Sequence, residues 1–375
     1  MAWYEVTLEG YTVHNETWDH VLEVDGKRDE VYIHSDIRLI DQAGNLLLRS
    51  EKRSDIMGDT NGFPFRVQAG SASPLGGLRS GDHFPYNPPW QRQGAIQNTR
   101  PPMLLWAGEL TDQHAVTITT SVWDWDGNLD LFNEWGQALV DYGPAIAAAV
   151  MNIINATQGS AIPTDIIKTN LDTGLPALYN LLNRILGQAS DRPIGTVEEE
   201  GNAVFKPKSL VMNNKMAEVV VTNDFGFGPG IVGIHYQDSA RFGGDYMLYL
   251  KVEKTESIFN DGTLWKERSS APVYVIFGGA KFWIPDPTWL QRYGSWSNVK
   301  EVPDGVLANA PTVPREATVL REWSSAPVYV ILGGQKCWIR TVEILDRYTG
   351  NQRWSLVRVV PDGGLNQIPT GQDAP

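Results

Sequence analysis

The strongest constraint on the fold is an internal duplication near the C-terminus. The segment 269–284, SSAPVYVIFGGAKFWI, returns as 324–339, SSAPVYVILGGQKCWI, with 13 of 16 positions identical at an offset of 55 residues. The similarity extends to a Val-Pro-Asp-Gly turn at 302–305 and again at 360–363. Duplicated units of this size bury little surface alone, so we expect them to pack on each other or on a neighbouring domain.

Each copy predicts a small unit rich in β-hairpins. The runs Val-Tyr-Val-Ile-Phe and Ala-Lys-Phe-Trp-Ile flank two glycines, which adopt the positive φ of a two-residue hairpin turn without a Cβ clash. A short helix over 288–293 and a third strand at 300–302 follow. We assign the first repeat to 258–315 and the second repeat to 316–375.

Aromatic side chains recur at equivalent positions of the two repeats, and seven of the 14 tryptophans lie in residues 265–375. The recurring residues are Tyr274, Trp283 and Trp296 in the first repeat and Tyr329, Trp338 and Trp354 in the second. They have two interpretations: aromatic faces that stack on sugar rings at two equivalent sites, or the core of a small unit. The unit resembles Trp-rich repeats of bacterial surface proteins, which implies adhesion or the binding of a glycan or another partner.

Residues 1–257 predict an antiparallel β-sandwich, so the chain as a whole is expected to be mainly β. Runs rich in Val, Ile, Thr and Tyr alternate with polar residues, as half-buried strands do. Residues 55–100 are dense in Gly, Pro, Asn and Asp and indicate long loops. The predicted strands are Glu5–Glu9, Val31–Ile40, Asn45–Arg49, Met103–Gly108, Ala115–Trp125, Ser209–Met212, Glu218–Thr222, Ile231–His235 and Tyr246–Val252.

A helical segment interrupts this β pattern at about 130–190. From Phe132 to about Gly187 the apolar spacing becomes helical, with Pro144 just inside one start, and predicts two or three amphipathic helices. Their apolar runs are too short to span a bilayer. The helices either pack on the sandwich or contact a membrane or a partner.

Two carboxylates at the end of one predicted strand suggest a cation site. In Ser121-Val-Trp-Asp-Trp-Asp126, side chains two residues apart on a strand share a face, so Asp124 and Asp126 repel each other. A hard divalent cation relieves that repulsion, and Ca²⁺ prefers six to eight oxygen ligands. A solvated loop rim is the alternative interpretation.

This strand end resembles the third calcium loop of the C-two domain, the calcium- and phospholipid-binding β-sandwich named after a conserved region of protein kinase C. In that family a further Asp follows, then an apolar residue and Gly, and Asp191-Arg-Pro-Ile-Gly195 is similar; Asp130 is a competing candidate. Arg28-Asp29, which comes just before the predicted strand at Val31, resembles the end of the first calcium loop of that family. The resemblance implies Ca²⁺ as a cofactor, calcium-dependent binding of lipid or a partner, and these metal ligands: Asp29, Asp124, Asp126 and Asp191, with Asp19 or Asp25 adding one more.

Other motifs give weaker signals. Asp55, Asp59 and Asn61 form a secondary metal candidate, although Asp/Asn/Gly loops are commonly turns. No His-Glu-x-x-His or Gly-x-Ser-x-Gly motif occurs, so zinc-peptidase and serine-hydrolase motifs are lacking. The single cysteine, Cys337, stands where the first repeat has Phe282, and indicates a small hydrophobic residue.

Charge and composition exclude several function classes. The net charge of −13 argues against a nucleic-acid binder, which needs a basic stripe, and no transmembrane segment is expected. No classical signal peptide is visible, so we expect a cytoplasmic protein or export by another route.

The first hypothesis is a non-enzymatic, calcium-dependent binding or assembly protein whose partners are protein, glycan or a membrane surface. The alternatives are a glycan- or lipid-acting hydrolase that uses Asp124 and Asp126 as acid and base, and a membrane-active protein that uses the helical insert.

Overall fold

The computed structural model describes residues 2–18, 28–60, 66–127, 130–141, 143–156, 191–255 and 259–375. The chain divides into two compact units, Met1–Thr255 and Glu256–Pro375. Both are built mainly from strands, so the prediction of a mainly β fold is confirmed.

The N-terminal unit is a β-sandwich of two sheets. One sheet has the order β13-β14-β1-β6, with β7 also paired to β1; the other has the order β12-β8-β2-β4-β5, with β3 on β2 and β9 on β8. A separate hairpin joins β10 and β11. Most pairs are antiparallel, and β4–β5 is parallel. The strands are β1 Ala2–Asn15, β2 Val31–Asp41, β3 Leu46–Arg53, β4 Ile56–Gly58, β5 Arg66–Gln68, β6 His83–Phe84, β7 Met103–Leu110, β8 His114–Asp124, β9 Arg192–Ile194, β10 Thr196–Glu199, β11 Asn202–Phe205, β12 Lys208–Met212, β13 Ile231–Gln237 and β14 Asp245–Thr255.

The core of the sandwich lies between the two sheets. Val6 and Leu8 of β1 are fully buried in the same apolar cluster as Ile33 of β2 and Ile118 and Val122 of β8. These positions alternate along their strands, because successive side chains of a strand point to opposite faces. The alternation predicted from the sequence is therefore the one that builds this core.

Two helices follow β8, as the helical spacing predicts: α1 over Asp130–Asp141 and α2 over Gly143–Ala156. Trp135, Ala138 and Leu139 of α1 are buried in the sandwich core, so this helix packs on the sandwich. Residues 157–190, where the third predicted helix falls, lie outside the described residues. None of the helices described is long and apolar enough to cross a membrane.

The prediction of a strand at Glu218–Thr222 is wrong. These residues end helix α3, Asn214–Thr222, which begins where the Asn213 side chain accepts a hydrogen bond from the backbone N–H of Met216. The helix buries Met216, Ala217 and Val220 on one face. The run of valines favours a strand locally, but the cap and this buried face outweigh that preference.

The C-terminal unit contains two four-stranded sheets with the same order, β17-β16-β15-β18 and β21-β20-β19-β22. Each has a hairpin turned by two glycines with positive φ, and each is closed by a parallel pair. The strands are β15 Leu264–Glu267, β16 Val273–Phe277, β17 Ala280–Ile284, β18 Val299–Val302, β19 Val319–Glu322, β20 Val328–Leu332, β21 Gln335–Ile339 and β22 Arg358–Val360. The helices are α4 Val342–Thr349 and the 3-10 helices Pro287–Arg292, Trp296–Asn298, Leu307–Asn309, Gly350–Leu356 and Gly364–Gln367.

The two sheets of this unit pack on each other. One apolar cluster contains Phe282 of the first repeat together with Leu320 and Ile331 of the second. The guanidinium carbon of Arg292 lies 4.6 Å from the ring centre of Trp289 and 4.4 Å from that of Trp323, so one cation joins tryptophans of both repeats.

Candidate functional site

Three chain segments bring two predicted ligands together at one end of the sandwich. Asp29 precedes β2, and Asp124 ends β8 opposite Val31. The backbone N–H of Thr17 donates to both oxygens of Asp29, at 3.1 and 2.9 Å. The Thr17 hydroxyl lies 2.8 Å from Asp29 Oδ1 and 2.9 Å from Asp124 Oδ2, and the Tyr246 hydroxyl donates to Asp29 Oδ2 at 2.7 Å. Both carboxyl groups are buried.

One hydroxyl proton cannot serve both carboxyl groups. A threonine hydroxyl donates one hydrogen bond, and here it can donate to Asp29 Oδ1. The contact between Thr17 Oγ1 and Asp124 Oδ2 is then a hydrogen bond when Asp124 carries a proton and donates to Thr17 Oγ1. Burial, and next the negative charge of Asp29, raises the pKa of Asp124 well above its usual range. Burial also raises the pKa of Asp29 to about 6, against hydrogen bonds from Tyr246 and Thr17 that lower it. At pH values between the unfolded and the raised folded pKa of Asp124, the folded pair therefore holds a proton that the unfolded chain releases.

Arg192 supplies the positive charge of this network. It lies opposite Asp124 in the register of β8 and β9, with its Nη2 4.0 Å from Asp124 Oδ2. Its Nη1 is 2.9 Å from Asp238 Oδ2, and Asp238 also accepts hydrogen bonds from three backbone N–H groups. The sequence interpretation missed Thr17, Arg192 and Asp238 as partners of the aspartates. Asp29, Asp124, Arg192 and Asp238 together form what we call the buried charge network.

Asp126 and Asp191 meet through the backbone. The N–H of Asp126 donates to Asp191 Oδ1 at 2.9 Å, and the Tyr32 hydroxyl donates to Asp191 Oδ2 at 3.1 Å. Asp191 is fully buried, and Asp126 is half-buried. The strand end and the distant Asp-Arg-Pro-Ile-Gly segment are therefore adjacent.

The described carboxylates do not fit an open ligand set for a cation. Oxygens of Asp29 and Asp191 accept hydrogen bonds from protein donors, Asp124 Oδ2 lies 2.9 Å from the Thr17 hydroxyl, and Arg192 supplies a positive charge of the kind a metal would bring. Across the described ranges, no group of three or more His, Cys, Asp or Glu side chains is arranged to hold a metal ion. Calcium binding stays a prediction.

Of the remaining metal candidates, the structure describes Asp55 and Asp59. Asp19, Asp25 and Asn61 lie outside the described residues. Asp55 accepts a hydrogen bond from the Thr99 hydroxyl at 2.9 Å, whereas the backbone carbonyl of the buried Asp59 accepts one from Arg66 at 3.0 Å. These contacts hold the two aspartates to different neighbours.

The interpretation of the recurring aromatic residues as core is wrong for all four tryptophans. Trp283 is 55% exposed and Trp338 is 40% exposed, because Phe282 and Ile284 on either side of Trp283 point into the core. Trp296 and Trp354, which lie in 3-10 helices, are both 58% exposed. Strand alternation could have revealed Trp283 and Trp338 in the sequence.

The exposed tryptophans of each repeat border a cavity. The first Trp pocket, about 220 Å³, is lined by Trp283 and Trp296 and by aliphatic and proline residues that include Pro272, Ile284 and Leu290. The second Trp pocket, about 300 Å³, is lined by their counterparts Trp338, Trp354, Pro327, Ile339 and Leu345. Every residue that lines the first pocket has an aligned counterpart lining the second.

The recurring tyrosines lie beside these pockets without lining them. Tyr274 pairs with Trp283 across the first hairpin, and Tyr329 pairs with Trp338 across the second. Both tyrosines are half-buried. The Lys281 ammonium lies 5.7 Å from the centre of the Tyr274 ring.

The pockets differ at two aligned positions. Pro285 and Pro287 of the first correspond to Arg340 and Val342 of the second. The Arg340 guanidinium lies 4.8 Å from the ring centre of Trp338 and pairs with Asp373 at 2.6 Å. The second Trp pocket is therefore flanked by a cation that the first lacks.

Comparisons with known proteins add no identity: we found no match among protein-family models, curated proteins or solved structures.

Proposed function

We propose that this protein is a non-enzymatic binding protein whose C-terminal repeats hold a polymeric ligand at two equivalent Trp pockets. One observation supports the proposal above the others. The same pair of exposed tryptophans borders the same apolar floor in both repeats. Exposed tryptophans grouped round a recess are typical of interaction sites, and tryptophan is enriched among residues that dominate binding energy.

The exposed area is enough for a weak site in each repeat. Covering roughly 100 Å² on each tryptophan of a pair would contribute on the order of 5 kcal/mol, at about 25 cal/mol per Å². The loss of translational and rotational freedom opposes this gain, so a single pocket favours weak binding. A polymer that occupies both pockets gains avidity, because the second contact is intramolecular.

The other candidate functions lack comparable support. A hydrolase that uses Asp124 and Asp126 needs the carboxyls to face a cleft, but Asp124 is buried and neither residue lines a pocket described above. A membrane-active insert is opposed by α1, whose apolar face is buried in the sandwich. The sandwich therefore serves as a scaffold in this proposal.

Retention on immobilised polymers tests the proposal. We expect the full chain to be retained on at least one of three matrices, which are cellulose, chitin and polyproline beads. The double variant Trp283→Ala/Trp338→Ala should lose that retention. Trp323→Ala is the matched control, since Trp323 is also exposed but lines neither pocket. Equal retention of the double variant, or no retention of the parent protein on any matrix, would contradict the proposal.

A further inference from the structure

The side chains that line the first Trp pocket offer hydrogen-bond donors and no acceptors. Their polar atoms are the indole N–H groups of Trp283 and Trp296, because the other lining residues are Ala, Pro, Val, Ile and Leu. Polar hydrogens carry partial positive charge. The polar side-chain atoms of this lining therefore have one sign, and their complement is a ligand rich in acceptors.

The second Trp pocket has the same character. Trp338 and Trp354 contribute two indole donors, and the Arg340 guanidinium has donors alone. Among the lining residues that the structure describes, the side-chain acceptor is the hydroxyl of Thr341, which accepts a hydrogen bond from the backbone N–H of Ile344 at the start of α4. Both pockets therefore present aromatic faces, apolar floors and positively polarised groups.

A proline-rich segment has the complementary chemistry. Proline has no backbone N–H, and a polyproline II helix makes no internal hydrogen bonds, so its carbonyl groups are free acceptors beside apolar rings. Such segments dock in aromatic-lined grooves with little loss of conformational entropy. From this charge complementarity we propose that the two Trp pockets bind proline-rich segments in the polyproline II conformation, an inference that rests on the proposed function.

A sugar ring fits this lining less well. Each sugar hydroxyl is a donor as well as an acceptor, and the first Trp pocket gives those donors no side-chain acceptor. Sugar hydroxyls that find no acceptor in the pocket would stay hydrogen-bonded to water, so the bound sugar would not displace all the water from the recess. Polyproline II also repeats every three residues with a rise of about 3.1 Å each, so one segment presents equivalent ring faces along its length. The duplication of the pocket suits such a periodic ligand.

The indole N–H signals of the full ¹⁵N-labelled chain test the inference. The probe is a capped proline peptide of about 20 residues, long enough to extend about 60 Å as polyproline II. We expect it to shift the indole signals of Trp283, Trp296, Trp338 and Trp354, each assigned by a Trp→Phe variant. A Gly-Ser peptide of the same length should leave them in place. Cellohexaose and chitohexaose form the carbohydrate arm.

Trp→Phe variants separate hydrogen bonding from stacking, because phenylalanine keeps an aromatic face and loses the N–H. We expect Trp283→Phe or Trp338→Phe to weaken binding of the proline peptide about fivefold, the effect of one lost hydrogen bond. Trp323→Phe, the exposed control outside both pockets, should bind as the parent does. An equal loss in Trp323→Phe would overturn the assignment of the site.

The carbohydrate arm separates failure of this inference from failure of the proposed function. If an oligosaccharide shifts the four pocket signals and the proline peptide does not, the ligand class is wrong and the binding module stands. If neither probe shifts them and the three matrices also fail to retain the protein, both the ligand class and the proposed function are wrong.

Discussion

The two units of the chain differ in which residues they place against the usual pattern of buried apolar and exposed charged side chains. In the N-terminal sandwich, charged groups such as Asp29, Arg192 and Asp238 are covered, and each finds its partners within the same unit. In the C-terminal unit, large apolar side chains such as Trp283 and Trp296 stay exposed round a recess. The buried charges of the sandwich are compensated by partners inside the same unit, whereas covering the exposed tryptophans with a binding partner would be favourable. This difference is the basis of the proposal that the buried charges serve structure and the exposed aromatics serve binding.

The largest expected effect comes from removing the buried cation. Arg192→Met leaves the carboxylates of Asp238 and Asp29 without their shared positive neighbour, so we expect a loss of about 3–5 kcal/mol in the free energy of unfolding. Urea denaturation measures it. Arg241→Met is a matched control, because Arg241 also lies over Phe242 but is exposed. Equal losses in the two variants would show that the charge network is not what Arg192 stabilises.

A comparison of neighbouring residues on β17 sharpens the contrast within the C-terminal unit. Phe282 is fully buried and Trp283 is exposed. Phe282→Ala should cost about 3–4 kcal/mol through lost burial and a cavity, and Trp283→Ala less than about 1 kcal/mol. The same denaturation experiment distinguishes them. A loss of several kcal/mol in Trp283→Ala would restore the core interpretation of the recurring tryptophans.

The proton held by the aspartate pair predicts a pH dependence of moderate size. Because the pKa of Asp124 is raised in the folded state, its contribution is fully present below the unfolded pKa of about 4 and is lost as the pH rises through the raised pKa of the folded state. Asp124→Asn mimics the protonated carboxyl and donates to Thr17. We expect its stability relative to the parent to increase by roughly 1–2 kcal/mol between pH 4 and pH 7.

Asp41→Asn is the control of opposite sign for that experiment. Hydrogen bonds from Asn45 and Ala43 lower the pKa of Asp41, so this carboxylate favours folding above its unfolded pKa and loses the effect as the pH falls. Its variant should therefore lose stability relative to the parent as the pH rises to about 4, and should change little between pH 4 and pH 7. A difference between Asp124→Asn and the parent that does not change with pH would contradict the shared proton.

The smallest expected effect is that of Ca²⁺ on thermal stability. Protein donors and Arg192 already engage the described carboxylates, so we expect millimolar Ca²⁺ to shift the Tm by less than about 1 °C relative to Mg²⁺. Differential scanning calorimetry measures the shift. A rise of several degrees that Asp126→Asn abolishes would support the calcium hypothesis and contradict internal compensation of the cluster.

Local patterns predicted the parts of the fold that depend on near neighbours. Strand alternation and paired glycines indicated the hairpin of each repeat, since both signals act over a few residues. Helix α3 was missed because a valine run favours a strand, although the Asn213 cap was present in the sequence. The same alternation, applied to Phe282, Trp283 and Ile284, would have placed the tryptophan outside.

The charge network could not be read from spacing. Asp124 and Arg192 are adjacent through the pairing of β8 and β9, which joins residues far apart in the chain. Thr17 reaches both Asp29 and Asp124 because β1 ends near the same edge of the sandwich. The aspartates were identified from their residue type, whereas their partners depend on long-range pairing that no local pattern encodes.

The central claim is that the exposed tryptophans serve binding and not stability, and one variant tests both halves. Trp283→Ala/Trp338→Ala is to be measured for its free energy of unfolding and for its retention on the matrix that holds the parent. The account predicts a stability change within about 1 kcal/mol together with lost retention. Unchanged retention, or a loss of several kcal/mol in stability, would contradict it.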